Sequence, residues 1–292
     1  MFALNNVLFP VDFSSRCRGA ARILDALHTE FNPEITLAHV LPPAHFEYTY
    51  TMADLGGGLV EQYTAARTDQ IRKDLEYFLD EELKHFKLRR VLLEGDPARK
   101  LVEYSRQHAT DLIVMPTHGY GGFRRFMLGS VTAKVLHDAD CPVLTGVHLE
   151  DTPEPEKIHL RKVGVALDLQ ESSSKVLTWA AAFAKACHAS LHVIHSTPSV
   201  EGMSGEYFEP NWRERFAEEA GRRISDLQLA AGTSAPVIFE AGDPDFQVSD
   251  LAKREGIDLL VIGRGSSSGL FGRIRAHAYS IIRQSPCPVI SV

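Results

Sequence analysis

The chain is short of cysteine, and the four it carries (Cys17, Cys141, Cys187 and Cys287) form no C-x-x-C pair. That spacing excludes a paired-thiol zinc site and argues against a disulfide framework; Cys141 and Cys287, each beside a proline, read as packing residues. A basic excess is also lacking. Lys and Arg number 31 against 38 Asp and Glu, a formal net charge of −7. This excludes a general nucleic-acid-binding surface and leaves room only for a local basic pocket. No apolar run reaches membrane-helix length, and the opening MFALNNVLFPVD has neither the charged nor the apolar region of a signal peptide. A cytoplasmic protein with no membrane partner is the expectation. Three catalytic signatures are missing: G-x-x-x-x-G-K-[S/T], G-x-S-x-G and H-E-x-x-H. Cys187, His188, His192 and His195 resemble a metal site only as a string. His192 and His195 stand three apart on an expected strand and so face opposite sides.

What the chain does have, it has twice. Asp12 and His39 recur as Asp168 and His195, 156 positions on. The EGDP around Asp96 recurs as AGDP around Asp243, and Asp111-Leu112-Ile113-Val114 as Asp258-Leu259-Leu260-Val261, 147 on. DADCPVLTGV recurs as QSPCPVISV, 146 on. The first copy therefore holds about nine extra residues between His39 and Gly95, where Leu55-Gly56-Gly57-Gly58 reads as a loop. A repeat this long is a duplicated domain, expected over residues 1–148 and 161–292. The joint, 149–160, carries Glu150, Asp151, Glu154 and Glu156 with Pro153 and Pro155, and reads as a fairly stiff linker.

Each copy alternates strand and helix. In the first, strands are expected at 7–11, 34–41, 90–93, 111–115 and 142–147, with helices at 14–28, 61–86 and 97–108. In the second, strands fall at 162–167, 191–195, 237–240, 259–262 and 289–292, and Trp212, Phe216, Ala220, Ile224 and Leu227 mark a long helix. Apolar strands alternating with helices predict an α/β fold: two tandem doubly wound domains, each a five-stranded parallel sheet flanked by helices.

The richest stretch is PTHGYGGFRRFMLGSVT, Pro116 to Thr132, between an expected strand and an expected helix. A strand, a glycine loop and a helix N-terminus make an anion site, because the first helical N–H groups lack partners and the dipole favours negative charge. Gly119, Gly121, Gly122 and Gly129 let backbone approach a ligand closely. Ligands of doubly wound sheets bind beyond the strands' carboxyl ends, where strand order reverses. Pro10-Val11-Asp12, Val40 and the glycine loop all sit at such ends, which suits a nucleotide. Backbone near Val40 would meet a base edge, Asp12 a ribose hydroxyl or a Mg2+ ion, and the loop the phosphates.

These residues resemble a tandem universal stress protein, of the adenine nucleotide alpha hydrolase-like fold. Nucleotide-binding members of that family carry G-x-x-G, nine residues, then G-[S/T]; here the register is Pro116-Thr117-His118-Gly119, nine residues, Gly129-Ser130. Pro116 replaces the first glycine, which removes an N–H and fixes φ. The resemblance covers both copies. It implies ATP as the ligand, base contacts near Val40, ribose and metal contacts near Pro10, Val11 and Asp12, and phosphate contacts from Gly119, Gly129, Ser130, Val131 and Thr132, with His118 in the same loop. It also implies a stress-response or signalling module that works through nucleotide-dependent association, with the two copies paired inside the chain and a homodimer as a further partner arrangement. Two alternatives stand beside it: a slow ATPase or nucleotidyl-transfer enzyme on the same fold, and a ligand-free scaffold.

The second copy departs from the motif. In the register of its first glycine, Gly263, the second glycine is Ser266, and Ala276-His277 replaces Gly-Ser; Ser196 replaces Val40. Arg264, Arg273 and Arg275 leave a different anion open, and a degenerate domain kept for packing is the favoured reading.

Overall fold

The computed structural model describes residues 2–42, 57–117, 128–146, 160–199, 212–264 and 276–292. The first half runs β1 (Asn6–Pro10), α1 (Ser15–Phe31), β2 (Glu34–Leu41), α2 (Gly57–Tyr77), β3 (Lys87–Glu94), α3 (Pro97–Gln107), β4 (Leu112–Val114), α4 (Ser130–Asp138) and β5 (Val143–Thr145). The second runs β6 (Lys162–Ala166), α5 (Ser173–Ala186), β7 (Ser190–Thr197), α6 (Trp212–Ala231), β8 (Val237–Ala241), α7 (Pro244–Arg254), β9 (Leu259–Ile262), α8 (Ala276–Gln284) and β10 (Val289–Ser291). The linker expected over 149–160 lies, except for its last residue, outside the described residues.

The ten strands of the described residues form one sheet in the order β3-β2-β1-β4-β5-β10-β9-β6-β7-β8. Within each half the pairings are parallel, and the order reverses between β1 and β4 and again between β6 and β9. Those two points are where a doubly wound sheet opens a crevice. The alternation of side chains along β1 shows how the core divides. Val7 and Phe9 face one apolar cluster with α1, and Leu8 faces the other with α3 and α4. The repeated aspartate before β4 and β9 has an architectural use. Asp111 Oδ2 accepts from the amides of Asn5 and Asn6, at 2.8 and 2.9 Å, and Asp258 Oδ2 does the same for Arg161 and Lys162. The repeated G-D-P is a turn. Gly95 and Gly242 sit at φ 135° and 147°, and Asp96 and Asp243 cap α3 and α7, each of which opens on a proline.

The halves join through β5 and β10, the one antiparallel pairing among the described residues. Its register is self-complementary. Val143, Leu144 and Thr145 are the repeat equivalents of Val289, Ile290 and Ser291, and Leu144 pairs with Ile290 while each outer residue pairs with the equivalent of its opposite number. This is the pattern of a twofold interface written into one chain. On one face of the sheet, Phe2 and Phe31 pack against Phe183 with ring centroids 5.9 Å apart in each case, and Phe2 against Trp179 at 5.4 Å. On the other, Tyr279 Oη donates to Ala133 O at 3.2 Å, and residue 133 is its own repeat equivalent.

Two expected elements change. The helix over 61–86 begins earlier, at Gly57, and stops at Tyr77, because Leu79 takes φ 62°. Leu79 and Phe86, two of the residues whose helical spacing suggested the longer helix, are buried all the same, so that spacing marks burial beyond the helix end. Gly57 and Gly58, expected as loop, open α2; Leu55 and Gly56 lie outside the described residues.

Candidate functional site

The carboxyl end of the first sheet half gathers most of the expected residues. Pro10 ends β1, and the Val11 amide extends the ladder by donating to Ala38 O at 2.9 Å. His39 Nδ1 lies 2.7 Å from Val11 O and can only donate to it, so the imidazole holds the residue before Asp12 in place. Burial pushes the His39 pKa below its usual value, which keeps the ring neutral. Asp12 turns the chain into α1: its Oδ1 accepts from the Ser14 amide at 3.0 Å and from the Cys17 thiol at 3.1 Å. Burial, then the adjacent Asp12 charge, pushes the Cys17 pKa up to about 12, so this sulfur stays protonated as a donor. Between them Phe13 takes φ 64°, a left-handed conformation that costs a bulky residue of order 1–3 kcal/mol. Its ring packs on His39 at 4.7 Å and Phe78 at 5.1 Å.

Val40 is buried near the end of β2, beside β1. The end of β4 is tied directly to α4. Gly129 N donates to Thr117 O at 2.7 Å, and Thr132 Oγ1 donates to Pro116 O at 3.1 Å. Thr132 is buried, so its side chain positions the loop end. Gly129 is the N-cap of α4 at φ −60° and ψ 147°, with no side chain to offer. Extended backbone suits any residue, so what glycine provides here is the lack of a Cβ beside the first-turn amides of Ser130, Val131 and Thr132. His118 and Gly119 lie outside the described residues. Pro116 corresponds to Gly263, where an added Cβ would come within 3.2 Å of Val176. The residue equivalent to Val176 is Ala20, so the first half sets proline against alanine where the second sets glycine against valine.

The second half keeps the frame. Asp168 Oδ1 accepts from the Gln170 amide at 2.9 Å and from Ser173 Oγ at 3.0 Å, and His195 Nδ1 lies 2.7 Å from Leu167 O. Leu169, equivalent to Phe13, is again left-handed, at φ 56°. A cavity of about 190 Å³ opens beside Asp168, lined also by Val176, Ser196, Val248, Ile262 and Ile281.

Two expectations for this half are corrected. Burial fixes the α8 register: Thr132, Val135 and Leu136 in α4 match Ala278, Ile281 and Ile282. That is an offset of 146, so Ala276 matches Ser130, His277 matches Val131, and the position of Gly129 falls on residue 275. The motif register, counted from Gly263, was one residue out because the intervening loop is one residue shorter. The second correction concerns Arg264, read with Arg273 and Arg275 as a residue for an anion; the latter two lie outside the described residues. Arg264 is buried, and its guanidinium donates to Ala139 O and Cys141 O, each at 2.8 Å, and to Leu136 O at 3.4 Å. It clamps the C-terminal end of α4 across the interface. The Cys187–His195 string forms no cluster of three ligating groups among the described residues; Asp243, Asp245 and His277 do, with ligating atoms within 4.8 Å of one another.

The model of the universal stress protein family matches residues 3–145 and again 159–292. The chain belongs to that family. A universal stress protein of Methanocaldococcus jannaschii is 30% identical over 138 residues, covering 47% of this chain and 79% of its own. One from Mycolicibacterium smegmatis is 23% identical over 297 residues, covering 98% of this chain and 96% of its own, so the tandem arrangement recurs at full length. The crystal structure of a universal stress protein from Archaeoglobus fulgidus superposes with a TM-score of 0.71 at 21% identity, covering 99% of this chain and 98% of that one. At that identity the likeness establishes the fold: two universal stress protein halves in a mostly parallel ten-stranded sheet.

Sequence reading assigned no role to His39, Cys17 or Phe13. The signal for His39 was its repetition as His195. Left-handed residues with side chains, such as Phe13, carry no compositional mark.

Proposed function

We propose that the first half binds ATP, with Mg2+ beside Asp12, and that the protein is a stress-response or signalling module that changes its association with ligand rather than turning it over. The observation that carries this is the convergence of Asp12, Val40 and the glycine-capped N-terminus of α4 at the reversal point between β1 and β4. In this reading Pro10, Val11 and Val40 face the base and sugar, and Gly119, Gly129 and the amides of Ser130, Val131 and Thr132 face the phosphates. Pro116 and His118 belong to the same loop. Asp12 belongs to no group of three ligating side chains among the described residues, so Mg2+ there would take the rest of its shell from water and phosphate oxygens. One carboxylate already engaged by Ser14 and Cys17 is poorly placed to activate water as well, which favours binding over hydrolysis. Calorimetry with Mg·ATP should return one site per chain. Gly129→Val should weaken binding at least 100-fold while the chain stays folded, because φ −60° and ψ 147° are open to valine and the poorer N-cap costs only about 1 kcal/mol. Asp12→Ala should weaken binding more with Mg2+ than without it. Two equivalent sites per chain, or unchanged binding by Gly129→Val, would sink this reading.

A further inference from the structure

The backbone of the join between the halves is symmetric, and its side chains are not. Leu144 pairs with Ile290 at the centre, so two first halves, or two second halves, could meet in the same strand register. The asymmetry is carried by three pairs of repeat equivalents beside those strands: Thr117 and Arg264, Ala133 and Tyr279, Ala139 and Ser285. In each pair the second half has the larger side chain and the greater capacity to donate hydrogen bonds.

Each difference is answered across the join. A contact between a residue and its own equivalent falls on the twofold axis. Tyr279 meets Ala133 there, a large side chain against a small one, with its hydroxyl on the Ala133 carbonyl. Two second halves would set tyrosine against tyrosine at that point, and two first halves would set alanine against alanine and lose the bond. Arg264 takes Ala139 O and Cys141 O at the end of α4. The counterpart of Cys141 O is Cys287 O, which is already served within its own half: buried Ser285 donates to it at 2.7 Å. Ala139 has no hydroxyl with which to do the same for Cys141. Charge follows the same division. The first half carries Asp138 and Asp140 at this helix end, where the second has Gln284 and Pro286. Burial pushes the Cys141 thiol up to about 11, while Arg264 pulls it down and Asp140 pushes it up, so both charges act at this spot. Burial also raises Tyr279, and Asp138 of the opposite half raises it further.

A pair of second halves would therefore bury each guanidinium against a carbonyl that has its donor, with neither carboxylate nearby, and a buried cation in that position is strongly unfavourable. A pair of first halves would bury the same carbonyls with no guanidinium to meet them. We infer that the β5–β10 join admits unlike halves only: each half is a partner for the other and rejects a second copy of itself through residues 117, 133 and 139 and their counterparts 264, 279 and 285. A homodimer of this chain then uses another surface, or exchanges first half for second between chains.

The test keeps the full chain and rewrites one half at a time. Thr117→Arg with Ala133→Tyr and Ala139→Ser gives both halves the second set. Arg264→Thr with Tyr279→Ala and Ser285→Ala gives both the first. Each reproduces the contacts of a like pair inside one chain. Urea unfolding should show either three-fold variant losing at least ~1 M in midpoint, or losing its cooperative transition. The reversed chain carries all six changes and exchanges the two sets across the same twofold. It should unfold cooperatively and regain at least half of the loss. Recovery separates partner matching from six separate injuries, because independent damage would add. Thr117 adjoins the first-half loop, so stability rather than ATP binding is the readout, and the reading of that site stands or falls apart from this one. A reversed chain that falls short of that recovery overturns the inference, as does a three-fold variant whose loss is smaller.

Discussion

The two carboxyl ends of this sheet share a frame and differ in what is hung on it. Asp12 and Asp168 make the same turn, His39 and His195 brace the same carbonyl, and Phe13 and Leu169 take the same left-handed conformation. The main differences follow the fourth strand of each half. After β4, the chain has Thr117 and a glycine-capped helix. After β9, it has Arg264, sent across the interface, and a helix whose start is occupied by the His277–Asp245 pair. Duplication kept the aspartate turn and its histidine brace and altered the segment after the fourth strand, so that segment can diverge without disturbing the fold.

The largest expected effect comes from undoing the sharpest difference. Arg264→Thr gives the second half the residue that the first half has at that place. It removes a buried guanidinium and leaves the carbonyls of Leu136, Ala139 and Cys141 without their donor. Unfolding should be easier by about 2–4 kcal/mol, read from denaturant midpoints at constant slope. Because the clamp crosses between halves, the transition should also lose cooperativity. A change under about 0.5 kcal/mol would show that Arg264 is incidental and that the sheet, the aromatic cluster and the Tyr279–Ala133 bond hold the halves.

A smaller effect tests whether the two aspartate turns are interchangeable. Cys17 in the first half stands where Ser173 stands in the second, and both donate to the aspartate Oδ1. Cys17→Ser should therefore change stability by less than about 1 kcal/mol and leave Mg·ATP affinity within about twofold. Cys17→Ala removes the donor and should weaken Mg·ATP binding several-fold through a less ordered Asp12. If serine proves as damaging as alanine, sulfur packing rather than hydrogen bonding is what the position needs.

Much of this arrangement was legible before any coordinates. Strands such as 112–114 and 259–262 are buried on both faces, so they read as unbroken apolar runs, and the repeat doubled every signal. The expected seat of the site came from strand-end residues and the rule that ligands sit at the reversal point, and Asp12, Val40 and the start of α4 do meet at that end of the sheet. What did not read was whatever depends on a partner without a sequence signature. Arg264 bonds to backbone carbonyls, which any residue supplies, so its string position suggested a ligand contact. The one-residue slip in α8 needed burial to expose it, because the shorter loop could not be located by counting from Gly263. The Asp245–His277 pair joins two helix starts 32 positions apart, and neither residue belongs to a known spacing.

The smallest effect sharpens what the halves still share. Burial is the main cause that holds the pKa of both His39 and His195 below the usual histidine value near 6.5. The carbonyl each bonds and the nearby Asp12 or Asp168 pull the other way, while Arg67 and Arg223 reinforce the lowering. Above pH 6.5 both folded and unfolded chains hold these rings neutral, and they contribute no slope. As pH falls through about 6.5, the unfolded chain takes up protons that the folded chain refuses, so stability declines until the folded rings also protonate. Each ring can contribute at most one proton to that difference, about 1.4 kcal/mol per pH unit within the window. His39→Gln keeps a donor for Val11 O and removes the titration, so it should flatten the acid slope by up to one proton. His195→Gln should do the same by a similar amount, because burial and carbonyl contact are alike at both sites. Stability measured by urea unfolding from pH 7.5 down to 5 would show this. A slope altered by one variant and not the other would mean that the frames have diverged as well as the ligand ends, and that the likeness of the two halves is one of geometry without shared electrostatics.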